Sequence, residues 1–176
     1  MKVLVAYATR EGQTRRIARH VADRIVEAGH TTELLNLDDA ADIGPDRFDR
    51  AVLAASVHAG QYQRALGDFA ARHADALARM PTLFLSVSLA AAGHDAEEWR
   101  SLDRILSDMN EATGWTPGQV AQVAGAYRPS DYDFFTRFIM RRIIATKDPK
   151  ADLDTDHEYT DWPALDALVD GWIAAR

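Results

Sequence analysis

MKVLVAYATREGQT, residues 1–14, opens on an apolar, partly β-branched run and closes on hydroxyls and a glycine. Lys2 to Tyr7 has the length and composition of a buried strand. From Gln13 the apolar period changes. Ile17, Val21 and Ile25 lie four apart, with Ala18, Ala22 and Val26 beside them, which is one face of an amphipathic helix. TREGQT (9–14) is therefore a tight strand-to-helix turn. The first N–H groups of a helix lack intrahelical partners, and the dipole makes that end positive. Gly12 lets the main chain approach a bound group, and Thr9 and Thr14 supply hydroxyl donors. The turn suits an anion, most of all a phosphate. It equally suits a plain helix cap, with one Thr on the first N–H groups and nothing bound.

Length and composition set the frame. A chain of 176 residues suits one domain, 1–176, with a core of its own. With 47% hydrophobic and 27% charged residues it is globular and ordered in character. The net charge of −7 argues against nucleic acid, whose phosphates need a basic surface. The absence of Cys excludes disulfides, thiolate metal sites and Cys nucleophiles, and fits a reducing compartment. The first apolar run, Val3 to Tyr7, is too short for a signal-peptide core or a membrane span. The expected location is the cytosol, or a membrane approached from the cytosolic side.

Outward from the first turn, strands and helices alternate. The first helix ends at Gly29, a usual C-cap residue. Strands are expected at TTELLNL (31–37), RAVLAAS (50–56), TLFLSVS (82–88) and QVAQVAGAY (119–127). The third strand is nearly all apolar and so central. VHAGQY (57–62) reads as a loop. A helix with Leu66, Phe69, Ala70, His73 and Leu77 on one side follows and stops before Pro81, His73 being half-buried and structural. Another helix, Asp95 to Asn110, turns Trp99, Leu102, Ile105, Leu106 and Met109 inward. The last helix is capped near Thr160 or Asp161 and buries Leu165, Leu168, Val169, Trp172 and Ile173. Five strands alternating with helices imply a parallel sheet covered on both faces, with ligands bound beyond the carboxyl ends of the strands. Three Gly-bearing loops meet there, TREGQT, SVHAGQY and SLAAAGHD, and together they favour a mononucleotide site.

The type of nucleotide follows by exclusion. GxxxxGK(S/T) is absent, and no Lys is placed to reach terminal phosphates. GxGxxG is absent as well, and strand 1 ends in Tyr7, Ala8 and Thr9 rather than in acids. A single phosphate held by hydroxyls and backbone, without metal, suits the 5′-phosphate of FMN.

AYATREGQTRRIA, ASVHAGQY, SVSLA, AGAYRPSDYDFFTRFIMRRI and EYTDW together resemble the flavodoxin-fold, quinone-dependent protoporphyrinogen oxidases of bacteria, nearly end to end. General flavodoxins carry T-x-T-G-x-T, and Glu11 departs from that pattern. The oxidases carry T-R-(D/E)-G-Q-T, which TREGQT fits. The resemblance implies a flavodoxin-like, doubly wound α/β fold with five parallel strands in the order 2-1-3-4-5 and an insert after the fifth, about 127–160. It implies that the FMN phosphate lies on Thr9, Arg10, Gly12, Gln13 and Thr14. Ser56, Val57, His58, Gly60 and Tyr62 would lie along the isoalloxazine, and Ser88, Leu89 and Ala90 along the ribityl chain and the other side of the ring. SLAAAGHD offers no aromatic cover, which leaves one face of the ring to a planar substrate unless another aromatic, such as Tyr127, fills the gap.

Residues 127–150 hold six basic side chains against Asp131, Asp133 and Asp148, interleaved with Phe134, Phe135, Phe138, Ile139, Met140, Ile143 and Ile144. Such a basic, aromatic helix in an acidic protein suggests a membrane surface or an anionic amphiphile. It would equally be a helix packed on the domain with its Arg residues in solvent. The resemblance implies that protoporphyrinogen IX is oxidised to protoporphyrin IX and that a membrane quinone takes the electrons. Arg128, Arg137, Arg141 and Arg142 would then meet the propionates or the cytoplasmic face of the inner membrane. No catalytic base is assignable, although His58 and His94 lie in ring-facing loops. The alternatives are a flavodoxin-type electron carrier, an FMN quinone reductase, and a flavin-binding interaction module.

Overall fold

A computed structural model describes residues 1–10, 12–39, 43–131 and 134–175. Glu11 of the first turn, residues 40–42, Tyr132, Asp133 and Arg176 lie outside the described residues, as do the side chains of Asp131, Phe134, Phe135, Thr136 and Phe138. The main sheet contains β1 (Lys2–Ala8), β2 (Thr31–Asn36), β3 (Arg50–His58), β5 (Thr82–Ser88) and β6 (Gln119–Ala124). They run parallel in the order β2-β1-β3-β5-β6, which is 2-1-3-4-5 when these five are counted along the chain. Val5 lies opposite Leu34 on one side and Val52 on the other, so β1 is flanked on both edges.

Side-chain alternation divides the core into two layers. Val3, Val5, Val52, Leu83 and Leu85 meet α1 (Gln13–Glu27) and α6 (Trp162–Ala174) through Ile17, Val21, Leu165 and Trp172. Leu4, Ala6, Leu53 and Phe84 face the other way. There they meet Leu66 and Phe69 of α2 (Arg64–Arg72), Leu77 of α3 (Ala74–Ala78) and Met109 of α4 (Ala96–Thr113). Each such large side chain taken from water contributes about 1.5–3 kcal/mol, so burial between these layers fixes where the strands end.

The structure revises several expectations. The run 64–77 is two helices, because His73 leaves helical geometry (φ −117°, ψ 19°) and sets its half-buried ring 4.7 Å from Phe69. Val57 and His58 continue β3 and pair antiparallel with β4 (Gln61–Tyr62), so VHAGQY is a hairpin rather than a loop. Its two-residue turn holds Ala59 and Gly60 at φ 48° and 78°, as a twisted two-residue hairpin requires. Val26 is exposed, Leu168 is half-buried, and Trp99 stands at the surface with its indole N–H donating to the Gly93 carbonyl at 2.9 Å.

Residues 119–127 do not form one strand. The chain leaves the sheet at Gly125, where a Cβ would come within 3.3 Å of Val87. Ala126–Tyr127 becomes β7, which pairs antiparallel with β8 (His157–Glu158). Between them runs α5 (Phe134–Lys147). The excursion closes where it began: the Tyr159 N–H donates to Gly125 O at 3.0 Å, and the Thr160 hydroxyl donates to Ala124 O at 2.7 Å. Its own core is small, built on fully buried Tyr127 and Ile144, with the Tyr127 hydroxyl donating to Leu153 O at 2.8 Å.

Candidate functional site

A cavity of about 800 Å³ opens beyond the carboxyl ends of β1, β3 and β5. Thr9, Gln13, Thr14, Ser56, Val57, His58, Gly60, Ser88, Leu89 and Ala90 line it, so three loops far apart in sequence meet at one place. Arg10, Gly12 and Tyr62 do not line it. Tyr62 turns toward the core, where its hydroxyl donates to Ser86 Oγ at 2.9 Å and its ring meets Phe84 edge-on at 5.1 Å. Burial pushes that hydroxyl up in pKa, so it stays a neutral donor. Tyr127 is spent in the insert's core. Among the described residues the cavity wall therefore contains no Phe, Tyr or Trp.

The start of α1 has free N–H groups that could accept an anion. No Thr caps it: Gly12 occupies the cap position in the left-handed region (φ 85°), with no side-chain hydrogen bond and no acid in the first turn. Thr9 Oγ instead accepts from the Gly12 N–H at 3.1 Å, which holds the loop folded. Helix α4, by contrast, is capped by Asp95, whose carboxylate accepts from the Glu97 and Glu98 N–H groups at 2.9 and 3.0 Å. Those two bonds hold the Asp95 carboxyl below the usual range. Uncapped N–H groups with Thr14 beside them leave α1 its positive end at the cavity.

Gln13 has a second task. Its buried amide donates to Glu158 Oε1 at 2.8 Å and to Thr160 Oγ at 3.0 Å, while its oxygen accepts from Arg128 at 2.9 Å. The entry and exit of the insert thus meet on the first residue of α1. Burial raises the Glu158 carboxyl, but hydrogen bonds from Gln13 and Trp162 and the charges of Arg16 and Arg128 outweigh it and hold the group below its ordinary pKa. Farther along the seam of α1 and α6, His20 meets Asp166 at 2.6 Å and Arg24 grips Asp170 with two bonds of 2.8 and 2.6 Å. The tract EYTDW (158–162) supplies the Glu158 and Thr160 that clasp Gln13. Asp161 of the same tract caps α6 by accepting from the Ala164 N–H at 3.0 Å.

Loop shape is fixed by hydrogen bonds that the serines lining the cavity make within their own loops. The Gln63 amide donates to Ser56 Oγ at 2.6 Å and accepts from the Ser56 N–H at 3.1 Å, which pins the hairpin to the end of β3. Ser88 Oγ accepts from the Ala91 N–H at 3.1 Å and tightens the turn after β5. Sequence spacing gives no sign of either role for these polar groups.

The far wall is the part that sequence reasoning missed. Leu102 and Ile105 of α4 face Ile139, Met140 and Ile143 of α5 across the cavity, and Lys147 pairs with Glu98 at its end. None of Arg128, Arg137, Arg141 and Arg142 lines the cavity. Arg128 lies on Gln13, Arg141 pairs with Asp154, and Arg137 and Arg142 are exposed. His58 borders the cavity and His94 does not. A period of four among 139, 143 and 147 was the available signal, since it marks one stripe of a helix.

Residues 4–154 match the family described as "Flavodoxin domain". The chain is 31% identical over 162 residues to a protein of Escherichia coli (strain K12) named protoporphyrinogen IX dehydrogenase (quinone), covering 92% of this chain and 89% of that one. A Leishmania major protein of the same name is 28% identical over 184 residues, covering 98% of this chain and 75% of the relative. Among solved structures, a short-chain flavodoxin associated with a non-canonical PDU bacterial microcompartment superposes with a TM-score of 0.58 at 13% identity, covering 98% of this chain and 97% of that one.

Proposed function

Since the chain belongs to the flavodoxin-domain family, and within it to the quinone-linked protoporphyrinogen IX dehydrogenases, we propose that it is an FMN-dependent oxidoreductase that converts protoporphyrinogen IX to protoporphyrin IX. A quinone is the electron acceptor. The observation that carries this reading is one cavity with two differently lined sides. An uncapped helix N-terminus opens on one side, and an apolar cleft between α4 and α5 lies on the other. The first suits a phosphate and the second a flat, largely apolar macrocycle.

In this reading the single domain 1–176 holds FMN through the turn 9–14 for its phosphate, 56–60 for the ring and 88–90 for the ribityl chain. Bound FMN supplies the two-electron acceptor chemistry, used in successive steps. The chain's own part is positional. Main-chain N–H groups of α1 and the Thr9 and Thr14 hydroxyls fix the phosphate, Gln63 and Ser56 hold the hairpin beneath the ring, and apolar side chains of α4 and α5 exclude water. Among the described residues the wall holds no Phe, Tyr or Trp, and a ring face left open in this way favours an oxidase over a dedicated electron carrier.

We further propose reversible contact with an anionic membrane, the source of the quinone, on its cytoplasmic face. Ile139 is 41% exposed beside Arg137 and Arg142, and no helix among the described residues is long and apolar enough to cross a membrane. Each cation near such a surface adds about 1 kcal/mol. Purified protein tests the central reading: mass spectrometry of the released chromophore should give FMN, and turnover of protoporphyrinogen should require a quinone. No flavin at saturating FMN, or no turnover, would overturn it. Charge reversal at Arg137 and Arg142 should reduce liposome binding without changing FMN content; unchanged binding would remove the membrane from the proposal.

A further inference from the structure

Among the described residues that line the cavity, Lys147 is the one Lys or Arg. It closes a stripe, Ile139, Ile143, Lys147, spaced four apart on α5 and spanning roughly 12 Å along the helix axis. A matching stripe on α4, Ile105, Leu102, Glu98, starts from the same ion pair. Lys147 is 15% exposed at its side chain and Glu98 37%, so the cation is the more deeply held partner. The loop after β5 lies against it: a Cβ on Gly93 would come 3.2 Å from the Lys147 Nζ. Of the other two acids that line the cavity, Asp95 is occupied as the cap of α4, and Glu97 pairs with Arg100 at the surface. The cleft is therefore apolar over Leu102, Ile105, Ile139 and Ile143 and ends on a single cation, Lys147, whose present partner is the part-exposed Glu98 carboxylate on a wall that also carries Asp95 and Glu97.

Resting on the FMN-oxidase reading above, we propose that Lys147 is the receptor for one carboxylate of the tetrapyrrole, and that Glu98 is the internal counter-ion which that carboxylate displaces. An amphiphilic acid fits both features, its flat apolar body between the two stripes and its anionic arm at Lys147. The exchange swaps one ion pair for another, so Lys147, whose side chain is only 15% exposed, is not left without a partner. Recognition of the propionates thus belongs to Lys147 and not to the Arg residues of the insert, which lie outside the cavity.

The test is binding to the FMN-loaded protein of two probes, protoporphyrin IX and its dimethyl ester, which share the macrocycle and differ in the carboxylates. Porphyrin fluorescence gives both affinities. Lys147→Met should raise Kd for the diacid at least tenfold and leave that for the ester within twofold. Glu98→Gln should do the opposite, tightening the diacid at least threefold, because the competing carboxylate is gone. A merely structural strap would lose both probes equally in both variants, and that result overturns the proposal. Weakened diacid binding in Glu98→Gln also overturns it, even if Lys147→Met does not fold. A wild-type holoprotein that binds neither porphyrin would instead bring down the oxidase reading on which the proposal rests.

Discussion

The two walls of the cavity are held by different forces. On one side, residues 56–60 and 88–90 stand on β3 and β5, whose preceding residues are almost wholly buried between two core layers. On the other, Ile139, Ile143 and Lys147 stand on α5, whose own core is Tyr127 and Ile144 with a few half-buried neighbours. Hydrogen bonds from Gln13 and Tyr127 and ion pairs such as Arg141–Asp154 complete its attachment. The first wall derives its position from burial and the second from polar ties. The wall built on β3 and β5 is therefore rigid by construction, while the wall built on α5 can loosen without unfolding the domain.

The largest expected effect breaks the first wall. Phe84→Ala removes a fully buried ring from between Tyr62 and Trp115 and should cost about 3–5 kcal/mol in global stability by denaturant titration. Ile144→Ala should instead speed hydrogen exchange in α5 and the β7–β8 ribbon, with little change in the main transition. Equal losses in that transition would erase the distinction between the walls.

Gln13→Ala strikes the point where the walls join. It strips hydrogen bonds from Glu158, Thr160 and Arg128, and should cost about 1–3 kcal/mol for the buried groups it leaves unmatched. Thermal melts check it, and a loss below a few tenths of a kcal/mol would show the clasp to be incidental. Thr14→Val, confined to the phosphate side, should weaken FMN by a comparable 1–3 kcal/mol, roughly the cost of an unpaired charged acceptor, without loosening the insert. Flavin titration measures the first and hydrogen exchange the second.

A pH titration sharpens the comparison further. The Glu158 carboxyl lies below its ordinary value in the folded protein, so it binds fewer protons folded than unfolded. The stability it contributes is full above the ordinary value of 4.5 and is lost as pH falls through the lower folded-state value. Below pH 4.5 the insert should loosen before the sheet melts, and Glu158→Gln should remove that acid step. An acid step that persists in the variant would assign it to other carboxylates.

The smallest effects lie at two glycines, one in the hairpin and one in α2. Gly60 sits at φ 78° with open space where a Cβ would go, so Gly60→Ala carries only a backbone penalty of about 1–2 kcal/mol. Gly67, inside α2 with equally open space, should become slightly more stable as Ala, by about 0.5–1 kcal/mol. The pair of melting temperatures separates backbone strain from packing.

By itself the sequence determined the alternation of strands and helices, the central place of RAVLAAS and the strand-to-helix turn at TREGQT, because period and turn chemistry are local properties. The same local signals brought Thr9, Thr14, Ser56, His58, Ser88 and Ala90 to the ends of neighbouring strands. They erred where a long-range contact decides. QVAQVAGAY looks continuous, yet Gly125 is pressed against Val87 and sends Tyr127 into a second, two-stranded ribbon. Tyr62 looks like a ring-stacking residue, yet Ser86 and Phe84 draw it into the core. The side-chain amide of Gln13 looks free for a ligand, yet Glu158, Thr160 and Arg128 occupy it from more than a hundred residues away. Only the tertiary structure decided which cation of the insert faces the cavity. Composition makes its Arg residues and Lys147 alike, and the choice rests on which side of α5 is turned toward α4, set by the burial of Ile144 and the partnership of Lys147 with Glu98.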